Sequence, residues 1–352
     1  MQAIVYPQPN EFRLQDLPVP SPGPDQVLIR VRSTTICATD FKIFAGQFPG
    51  TKFPHIPGHE WSGEVVEVGS RVAHVKPGDR VGVEVHVGCG ACPPCLNGLY
   101  TLCEHYGDVS RGHAHIGFTV PGGMAECCAV PARAVHRLPD PLDFDEGAFT
   151  DNIGVALYAV ERGGLRAGEG VAVLGPGAFG LLAVQVARAL GAGRIVLVGT
   201  RQERLRLGRE LGADEVVNAA MAADPVAEVK GLFEGKGPQL VVEFAGTEAA
   251  AAEAIQMARR GGRVVLAGAT APGRTLQVDL SLIVRGHLDV HGSLANPKAV
   301  SARGLELISR GVVKVKPLIT HHFPLEAFGR AWEAFRTREG GAYRVMLHPA
   351  GT

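Results

Sequence analysis

The chain has 352 residues, 46% of them hydrophobic, and its 35 basic and 35 acidic residues give a formal net charge of zero. A neutral chain lacks the positive surface that non-specific nucleic-acid binding needs, so we expect no nucleic-acid partner. No basic segment with an apolar run and cleavage site precedes the first strand-like residues, and the longest apolar stretch, residues 171–190, is broken by glycine, proline and arginine. These features predict a cytoplasmic protein of two domains without a membrane span.

β-branched runs between turn signals dominate residues 1–152 and predict a small, mainly antiparallel β domain, with strands at residues 27–32, 63–68 and 80–85. From residue 153 to residue 292, apolar strands alternate with helical patterns, which predicts a parallel sheet. Residues 293–352 are expected to return to the first domain. The predicted strands after residue 153 lie at 171–174, 195–198, 240–244, 263–267, 288–291 and 345–347, and the predicted helices at 181–190, 203–211, 247–260, 297–310 and 325–337.

Four cysteines fall within residues 88–104, namely Cys89, Cys92, Cys95 and Cys103. Thiolates separated by two residues reach one Zn²⁺ ion without straining the turn, and four of them fill its tetrahedral shell. We therefore predict a closed, structural zinc site whose loop folds only with the metal bound. A pair of disulfides is the alternative, which an intracellular location disfavours. Cys127 and Cys128 lie on opposite faces of a predicted core strand and are not expected to bind metal.

Cys37 and the adjacent pair His59 and Glu60 indicate a second metal site. Cys37 follows an apolar strand, and the pair follows a Pro57-Gly58 turn. Zn²⁺ accepts sulfur, imidazole and carboxylate ligands together, and three protein ligands leave a position for water or substrate. Taken singly, Cys37 is more often a small buried hydrophobe and His59 a hydrogen-bonded turn residue. Their occurrence beside a four-cysteine segment favours an open zinc site, which makes two zinc ions per chain.

A glycine-rich turn joins the first strand and first helix of the second domain. Its first glycine allows a tight turn, its second lets a pyrophosphate approach the backbone, and its third packs the helix against the strand. At a strand-to-helix junction, this pattern favours a dinucleotide site over a plain turn. The candidate coenzyme-binding residues are Gly175, Gly177, Ala178, Phe179 and Gly180 in this turn, together with Gly246 and Gly268 after later strands.

The end of the next strand, residues 198–201, indicates which coenzyme binds. An acidic side chain there would bind the ribose 2′-hydroxyl of NAD, and this chain has Gly199, Thr200 and Arg201, with Arg204 one turn further. Space and positive charge at this point suit a 2′-phosphate, so we predict NADP in preference to NAD. The alternative is that these arginines, with Arg206 and Arg209, form the solvated face of a helix.

In the order of its motifs, the chain resembles the zinc-dependent medium-chain dehydrogenase/reductase family, in its alcohol, polyol and threonine dehydrogenase branch. The resemblance covers essentially the whole length. It implies an α/β protein with a GroES-like catalytic domain that holds both zinc ions, a Rossmann domain, and an active cleft between them. The motifs that carry it are Cys37-Ala38-Thr39-Asp40, Gly58-His59-Glu60-Trp61-Ser62-Gly63, the four cysteines, Gly122-Gly123-Met124-Ala125-Glu126 and Gly175 to Gly180.

The resemblance also implies roles for single residues. Cys37, His59 and Glu60 match the ligands of the catalytic zinc, and Thr39 matches the hydroxyl of a proton relay. Asp151 matches a further carboxylate ligand, although relatives often have Glu-Pro where this chain has Asp151-Asn152. Lys42 stands where many relatives carry a relay histidine.

The implied reaction is hydride transfer between a small-molecule secondary alcohol, on a polyol, sugar or amino alcohol, and NAD(P). Zn²⁺ would act as a Lewis acid, and the Thr39 hydroxyl would pass on the proton of the alcohol. Simple aliphatic alcohols are the second choice, and a zinc-free quinone reductase and a non-enzymatic nucleotide sensor are remote alternatives. Candidate walls of the substrate site are Lys42, Phe48, Trp61 and His115. The edge strand at residues 288–291 predicts a homo-oligomer, a tetramer or a dimer.

Overall fold

A computed structural model describes residues 1–268, 273–297 and 299–349 of the protein. The chain divides into two compact units. Unit 1 comprises Met1–Gly154, Asn296–Arg310 and Val315–Thr352, and unit 2 comprises Val155–Ala295 and Gly311–Lys314. From the sequence, the domain boundaries were predicted after residues 152 and 292. In the structure, the first change of unit follows Gly154 and the next follows Ala295.

The strands and helices below are numbered in chain order, and short 3₁₀ turns are left out. The strands are β1 (Gln2–Val5), β2 (Arg13–Asp16), β3 (Gln26–Thr35), β4 (Trp61–Val68), β5 (Arg80–Val83), β6 (His86–Val87), β7 (Ala114–His115), β8 (Cys127–Pro131), β9 (Val135–Arg137), β10 (Val171–Leu174), β11 (Ile195–Gly199), β12 (Glu215–Asn218), β13 (Leu240–Glu243), β14 (Arg263–Leu266), β15 (Asp289–Gly292), β16 (Ile319–Pro324) and β17 (Arg344–His348). The helices are α1 (Ala38–Phe44), α2 (Pro93–Leu96), α3 (Phe144–Gly147), α4 (Thr150–Arg162), α5 (Ala178–Ala189), α6 (Gln202–Glu210), α7 (Pro225–Leu232), α8 (Glu248–Met257), α9 (Leu280–Gly286), α10 (Val300–Ser309) and α11 (Phe328–Thr337).

Unit 1 is built on a seven-stranded sheet with β3 near its centre. The strands follow the order β16-β17-β3-β4-β5-β9, and β8 also pairs with β3. Val27, Ile29 and Val31 alternate along β3 and are fully buried, because successive side chains of a strand point to opposite faces. They pack in one apolar cluster with Trp61 and Val65 of β4.

The C-terminal strand β17 lies beside the segment that leads to Cys37. It pairs antiparallel with β3, with Met346 opposite Thr35. One residue further, the Ile36 amide donates to the Val345 carbonyl at 3.1 Å. Residues from the end of the chain are thereby held next to a predicted metal ligand.

A cluster of aromatic rings joins α11 to α1 within unit 1. The ring of Trp332 on α11 lies 4.0 Å from Phe41 and 5.1 Å from Phe44 on α1, and 6.4 Å from Tyr6. Such tilted and edge-on contacts add to the stabilisation that burial of large rings provides. They anchor α1, the helix whose N-cap residue is Cys37.

Unit 2 contains a six-stranded, fully parallel sheet in the order β12-β11-β10-β13-β14-β15. Every residue of β10, β11 and β13 is buried, because helices cover both faces of a doubly wound sheet. The chain order reverses beside β10, and ligands bind such sheets at the carboxyl ends of the strands at this reversal. No helix in the described ranges is both long and apolar enough to cross a membrane.

The elements predicted for unit 2 are present, with shifted ends. The first helix begins at Ala178 instead of residue 181, because Gly177 is its N-cap. Strand β12 and helices α4, α7 and α9 were not predicted. Only Val217 of β12 is fully buried, so this strand lacks the apolar run that marks its neighbours. In unit 1, the strand predicted at residues 80–85 ends at Val83, and pairing resumes with His86.

Candidate zinc centres and coenzyme-binding turn

The four predicted cysteine ligands converge around α2. One ligand atom from each of Cys89, Cys92, Cys95 and Cys103 lies within 4.8 Å of all the others. The Cys89 and Cys95 sulfurs are 3.9 Å apart, as are those of Cys92 and Cys103. Zn–S bonds of about 2.3 Å at tetrahedral angles place sulfurs about 3.8 Å apart. The thiols therefore fit one Zn²⁺ ion, and all seven cysteines of the chain are free, which excludes the disulfide alternative in this structure.

The backbone around these thiols is shaped to hold a metal thiolate. The amides of Ala91 and Cys92 donate to Cys89 Sγ at 3.4 and 3.3 Å, and they lower the pKa of the Cys89 thiol to about 6. A Cβ atom at Gly88 would lie 2.4 Å from Cys95 Sγ, so only glycine leaves room for this sulfur. Cys127, by contrast, is not a member of the cluster among the described residues.

The second predicted site brings together Cys37, His59 and Glu60. One ligand atom from each lies within 4.8 Å of the other two, and all three side chains are buried. His59 Nε2 lies 3.7 Å from Glu60 Oε1. Ligands about 2.0–2.3 Å from a tetrahedral zinc ion are separated by distances of this order. Sulfur, imidazole and carboxylate form a donor set that fits Zn²⁺.

Asp40, from the first turn of α1, sets the orientation of His59. Its Oδ1 lies 3.2 Å from His59 Nδ1, and its Oδ2 accepts from the Cys37 amide at 2.7 Å. Beside this carboxylate, Nδ1 of His59 carries the ring proton. The lone pair is then on Nε2, which is the nitrogen that can bind a metal. Burial lowers the pKa of His59, whereas its contacts with the negative charges of Asp40 and Cys37 raise it. The raising effects together are larger, so the pKa of His59 lies well above its ordinary value. This surplus of negative groups is what a bound cation neutralises.

Two buried side chains from distant segments hold the carboxylate of Glu60. Arg344 Nη1 on β17 donates to Glu60 Oε2, and Asn152 Nδ2 on α4 donates to Glu60 Oε1 at 2.6 Å. Neither residue was singled out as a site residue from the sequence. The only available signal for Asn152 was that it stands where relatives often have proline. Both contacts orient Glu60, since a carboxylate with two fixed partners has little rotational freedom.

Asp151 lies in the first turn of α4 and is buried, but it is not a member of the three-ligand set. Its Oδ1 has no hydrogen-bond partner among the described residues. Burial is the main cause that raises the pKa of Asp151 to about 7. Glu60 and Glu84 raise it further, and His59 lowers it. The structure thus places Asp151 within electrostatic range of the site without bringing its carboxyl among the ligands.

The predicted relay hydroxyl lies beside the first ligand. Thr39 is half-buried in the first turn of α1, and its Oγ1 lies 3.8 Å from Cys37 Sγ. Lys42, one turn further along α1, is half-buried and has an interaction partner of its own. The structure therefore places the Thr39 hydroxyl in contact with a candidate zinc ligand.

Aromatic and imidazole rings form a column that begins at His59. The Phe118 ring lies 4.7 Å from His59 and stacks on His115 at 3.7 Å, and His115 stacks on His86 at 3.8 Å. His113 follows at 6.2 Å from His86. Both ring nitrogens of His86 and Nε2 of His113 are buried without a hydrogen-bond partner in the described part of the chain. Burial is the main cause that lowers the pKa of His86 to about 3, so this ring is neutral near pH 7.

Of these three histidines, only His115 was predicted from the sequence to line the substrate site. The alternation His113-Ala114-His115 was a usable signal, because residues two apart in an extended segment share one face. Phe48, another predicted wall, lies 5.6 Å from His115 and 4.6 Å from Phe118. Trp61, in contrast, is fully buried in the apolar core of the unit 1 sheet.

In unit 2, the glycine-rich turn has the geometry that dinucleotide binding requires. Gly175 has φ +96°, a left-handed conformation that only glycine adopts readily, and a Cβ there would lie 2.7 Å from the Ala245 amide nitrogen. A Cβ at Gly180 would lie 2.0 Å from the Gly175 carbonyl oxygen, whereas a Cβ at Gly177 would meet nothing within 4 Å. Gly177 therefore opens to solvent at the N-terminus of α5, where amides attract phosphate. Ala178 and Phe179 form the first turn of that helix.

The remaining predicted coenzyme residues lie at the carboxyl ends of neighbouring strands. A Cβ at Gly199, the last residue of β11, would lie 2.4 Å from Pro176 of the turn. Gly246 and Gly268 meet beside β13, since a Cβ at Gly268 would lie 2.3 Å from the Gly246 nitrogen. The Gly246 amide also donates to Glu243 Oε1 at 2.6 Å. The structure thus gathers three glycines from three strands near one edge of the sheet.

The arginines after β11 fall into two groups. Arg206 and Arg209 lie within ion-pair distance of Glu210 and Glu215, at 3.9 and 3.0 Å, so they do form the solvated face of α6. Arg201, the N-cap of α6, is exposed and makes no ion pair with a described residue. Arg204 is half-buried and has a partner of its own. Arg201 is the guanidinium that remains open to a ligand.

Comparison with known proteins identifies the class. A family model described as alcohol dehydrogenase GroES-like domain matches residues 23–140, and a second, described as zinc-binding dehydrogenase, matches residues 178–310. The L-threonine 3-dehydrogenase of Bacillus velezensis is 35% identical and aligns over 99% of this chain and 99% of its own length. The sorbitol dehydrogenase of Bacillus subtilis is 30% identical over 99% of this chain and 97% of its own.

A solved structure shows the same likeness. A zinc-binding dehydrogenase from Sinorhizobium meliloti, bound to NADP, has a TM-score of 0.91 and 31% identity, and the alignment covers 99% of both chains. The chain belongs to the zinc-dependent medium-chain dehydrogenase/reductase family and is an oxidoreductase. The family and the α/β fold class, with a GroES-like domain and a dinucleotide-binding domain, are therefore confirmed. Zinc and a nicotinamide coenzyme are the cofactors of this class.

Proposed function

We propose that the enzyme transfers a hydride between a secondary alcohol, on a polyol, sugar or amino alcohol, and a nicotinamide coenzyme. The observation that carries the proposal is the buried set Cys37, His59 and Glu60, within 4.8 Å of one another, with the Thr39 hydroxyl beside it. The likeness to a threonine dehydrogenase and a sorbitol dehydrogenase over nearly the whole chain supports this substrate class.

Each residue of the open site has a proposed task. Cys37, His59 and Glu60 would hold the catalytic zinc, while Asp40 keeps His59 in the tautomer that presents Nε2. Bound zinc supplies a Lewis acid that raises the acidity of an alcohol. Thr39 accepts the alcohol proton on its hydroxyl oxygen while it donates its own proton onward, which a hydroxyl can do and a carboxylate cannot. Cys89, Cys92, Cys95 and Cys103 would hold a second, structural zinc.

Asp151 is proposed to act on the metal through water. Its buried carboxyl lies outside the three-ligand set, and one of its oxygens lacks a partner among the residues that the structure describes. A water molecule between Asp151 and the ion would satisfy that oxygen, since buried polar atoms are rarely left unpaired. Asp151→Asn is then expected to weaken zinc retention, and an unchanged zinc affinity would reduce Asp151 to a structural residue.

The histidine column supports a substrate with several hydroxyl or amino groups. His86 and His113 together present three buried ring nitrogens without a partner in the described ranges, and a neutral imidazole can both donate and accept. A hydroxylated substrate would satisfy these nitrogens, whereas a purely aliphatic alcohol would leave them unpaired at a cost of about 1–3 kcal/mol each. We therefore place polyols and amino alcohols before simple aliphatic alcohols.

For the coenzyme, we propose NADP in preference to NAD. Arg201 is exposed at the end of β11 without an ion-pair partner among the described residues, and Gly199 and Thr200 beside it carry no negative charge. A guanidinium can make paired, charge-assisted hydrogen bonds to a 2′-phosphate. An acidic residue at this place would repel that phosphate.

We also propose that the chain associates through β15 as a dimer or tetramer in the cytoplasm. β15 is the edge strand of the unit 2 sheet, and its unpaired backbone groups need a partner. Val290 on this strand and Leu280, Val284 and Leu294 around it are exposed apolar side chains, which an interface would cover. Free thiols throughout the chain suit a reducing compartment. A monomer at micromolar concentration in sedimentation would contradict the association.

The experiment for the proposed reaction is a coenzyme-reduction assay with zinc-replete protein. The substrates are sorbitol, threonine and 2,3-butanediol, with 2-propanol as the aliphatic comparison, each with NADP and NAD. We expect kcat/KM for at least one of the first three to exceed that for 2-propanol by roughly tenfold or more, as one or two buried hydrogen bonds provide. Cys37→Ala should abolish this turnover. Cys127→Ala, which changes a cysteine outside the proposed sites, is the control and should keep it. Zinc-replete protein that oxidises none of the four, or 2-propanol best, would contradict the proposal.

A further inference from the structure

Three side chains of unit 1 that take no part in the sites above converge at the surface. Asp145 comes from α3, His322 from β16 and His348 from the end of β17. One ligand atom from each lies within 4.8 Å of the other two. His322 Nδ1 is 3.1 Å from His348 Nε2 and 3.6 Å from Asp145 Oδ2. Two imidazoles and a carboxylate at these separations match the spacing of ligands around a tetrahedral metal ion.

The surroundings determine which atoms are available as ligands. His348 Nδ1 lies 3.2 Å from the Arg32 carbonyl oxygen, which can only accept, so this nitrogen carries the proton. The lone pair of His348 is therefore on Nε2, the nitrogen that faces His322. In the same way, the Ser33 hydroxyl donates to Asp145 Oδ1 at 2.5 Å and leaves Oδ2 on the side of His322. Backbone and hydroxyl partners thus orient two of the three ligands before any ion binds.

Without an ion, His322 Nδ1 shares its proton with His348 Nε2. The side chain of His322 is 52% exposed, so it can instead carry its proton on Nε2, in solvent, and offer Nδ1 as a lone pair. The side chains of His348 and Asp145 are 11% and 22% exposed and stay in place. A divalent ion would then occupy the position of the shared proton, and water would complete its coordination shell.

We propose that Asp145, His322 and His348 form a third metal site, for a divalent ion of the zinc, nickel and copper group. Imidazole nitrogens favour these ions, whereas Mg²⁺ and Ca²⁺ prefer shells made of oxygen alone. The bound ion links α3 to β16 and β17, two strands that lie far from α3 in the sequence. Its effect is on the stability of this surface, because none of the three residues contacts the Cys37, His59 and Glu60 set in the described structure.

The test is a Ni²⁺ titration of the tag-free, zinc-loaded protein near pH 7.5, with bound nickel and retained zinc both counted by elemental analysis. Ni²⁺ is the probe because it can be counted separately from the resident zinc. We expect one Ni²⁺ per chain, no loss of zinc, and a rise in melting temperature. His322→Ala and Asp145→Asn are each expected to weaken Ni²⁺ binding at least tenfold and to remove the rise.

The matched control is His321→Ala, the neighbouring half-buried histidine on the same strand, which lies outside the cluster. It should bind Ni²⁺ as the wild type does. The proposal is overturned if the wild type binds no Ni²⁺, if nickel enters only as zinc leaves, or if His322→Ala and His321→Ala bind it equally well. These readouts do not depend on enzymatic activity, and His322 is exposed, so its replacement leaves the core intact.

Discussion

The two proposed zinc centres of unit 1 are built in opposite ways. The four-cysteine centre takes all its ligands from one segment of 15 residues, Cys89 to Cys103, and its sulfurs receive hydrogen bonds from the same segment. The open centre takes Cys37 from the end of one strand and His59 and Glu60 from the loop before the next. Its supporting contacts to Glu60 come from residues 92 and 284 positions away.

This difference predicts different consequences of damage. In the closed centre, metal binding and loop folding are one process, so the loss of a ligand destroys structure. In the open centre, the surrounding sheet and helices hold the ligands in place without the metal, so the loss of a ligand destroys chemistry and leaves the fold. The predictions below test this contrast, from the largest expected effect to the smallest.

Cys103→Ser should have the largest effect, and the effect should be on structure. Structural zinc sites bind with about 10–16 kcal/mol, and this binding free energy is also folding free energy, so a weakened site should leave the loop unfolded. We expect one zinc per chain instead of two, and rapid proteolysis within residues 88–104. Cys127→Ser, which changes a cysteine outside the cluster, should keep both zinc ions and the wild-type cleavage pattern. Normal zinc content in Cys103→Ser would mean that the loop folds without its metal.

His59→Ala should abolish turnover and spare the fold. The Lewis acid is worth several kcal/mol, so kcat should fall by roughly 10³-fold or more. Zinc should fall to one per chain, while the melting temperature changes little. The exposed His74→Ala serves as the control and should retain wild-type turnover. An unfolded His59→Ala protein, or an active one, would remove the contrast between the two centres.

Thr39→Val separates proton transfer from metal binding inside the open centre. General acid–base groups contribute about 10²- to 10⁴-fold, and we expect a loss of kcat near the lower end of that range. Both zinc ions should remain, because Thr39 is not a ligand. Thr39→Ser keeps the hydroxyl and should restore most of the rate. Full activity of Thr39→Val at all pH values would show that the proton leaves by another route, through Lys42 or water.

Arg201→Ala extends the comparison to the coenzyme turn of unit 2. Charge-assisted hydrogen bonds are worth about 1.5–3 kcal/mol, so NADPH should bind roughly ten- to a hundredfold more weakly to the variant. NADH, which lacks the phosphate, should bind as before. Arg206→Ala on the same helix, whose guanidinium lies near Glu210, is the matched control. Equal affinity of the wild type for the two coenzymes would contradict the proposed preference.

The smallest expected effect concerns His86, a neutral histidine in the column of rings that begins at His59. Burial holds the pKa of His86 at about 3 in the folded state, against about 6.5 when unfolded. Because the folded pKa is lowered, the contribution to stability is present above pH 6.5 and is lost as the pH falls towards 3, by about 1.4 kcal/mol per pH unit.

Urea unfolding at pH 7.5 and pH 5.5 checks this dependence. We expect His86→Phe to lose less stability than the wild type over this interval, by the contribution of one histidine. The exposed His74→Phe should lose as much as the wild type. The same pH dependence in His86→Phe and wild type would mean that His86 is protonated without unfolding.

The parts of this protein that the sequence alone predicts are those whose contacts are local. Cysteine spacing defines the closed centre because its ligands lie within one loop. The glycine turn is recognisable because its φ requirement at Gly175 and its tight packing at Gly180 arise within a few residues of the turn. Strand β12 was missed because its burial depends on neighbouring elements and leaves no apolar run in the sequence.

Tertiary structure alone decided how the open centre is supported and where the proposed third metal site lies. Arg344 and His348 lie on β17, which pairs with β3 in the unit 1 sheet. This pairing brings together residues about 310 positions apart, as the Thr35–Val345 hydrogen bond shows. Asn152 and Asp145 reach their partners through α4 and α3. Residue types and local spacing do not predict these long-range contacts, because long-range strand pairing is determined by the free energy of the whole folded sheet.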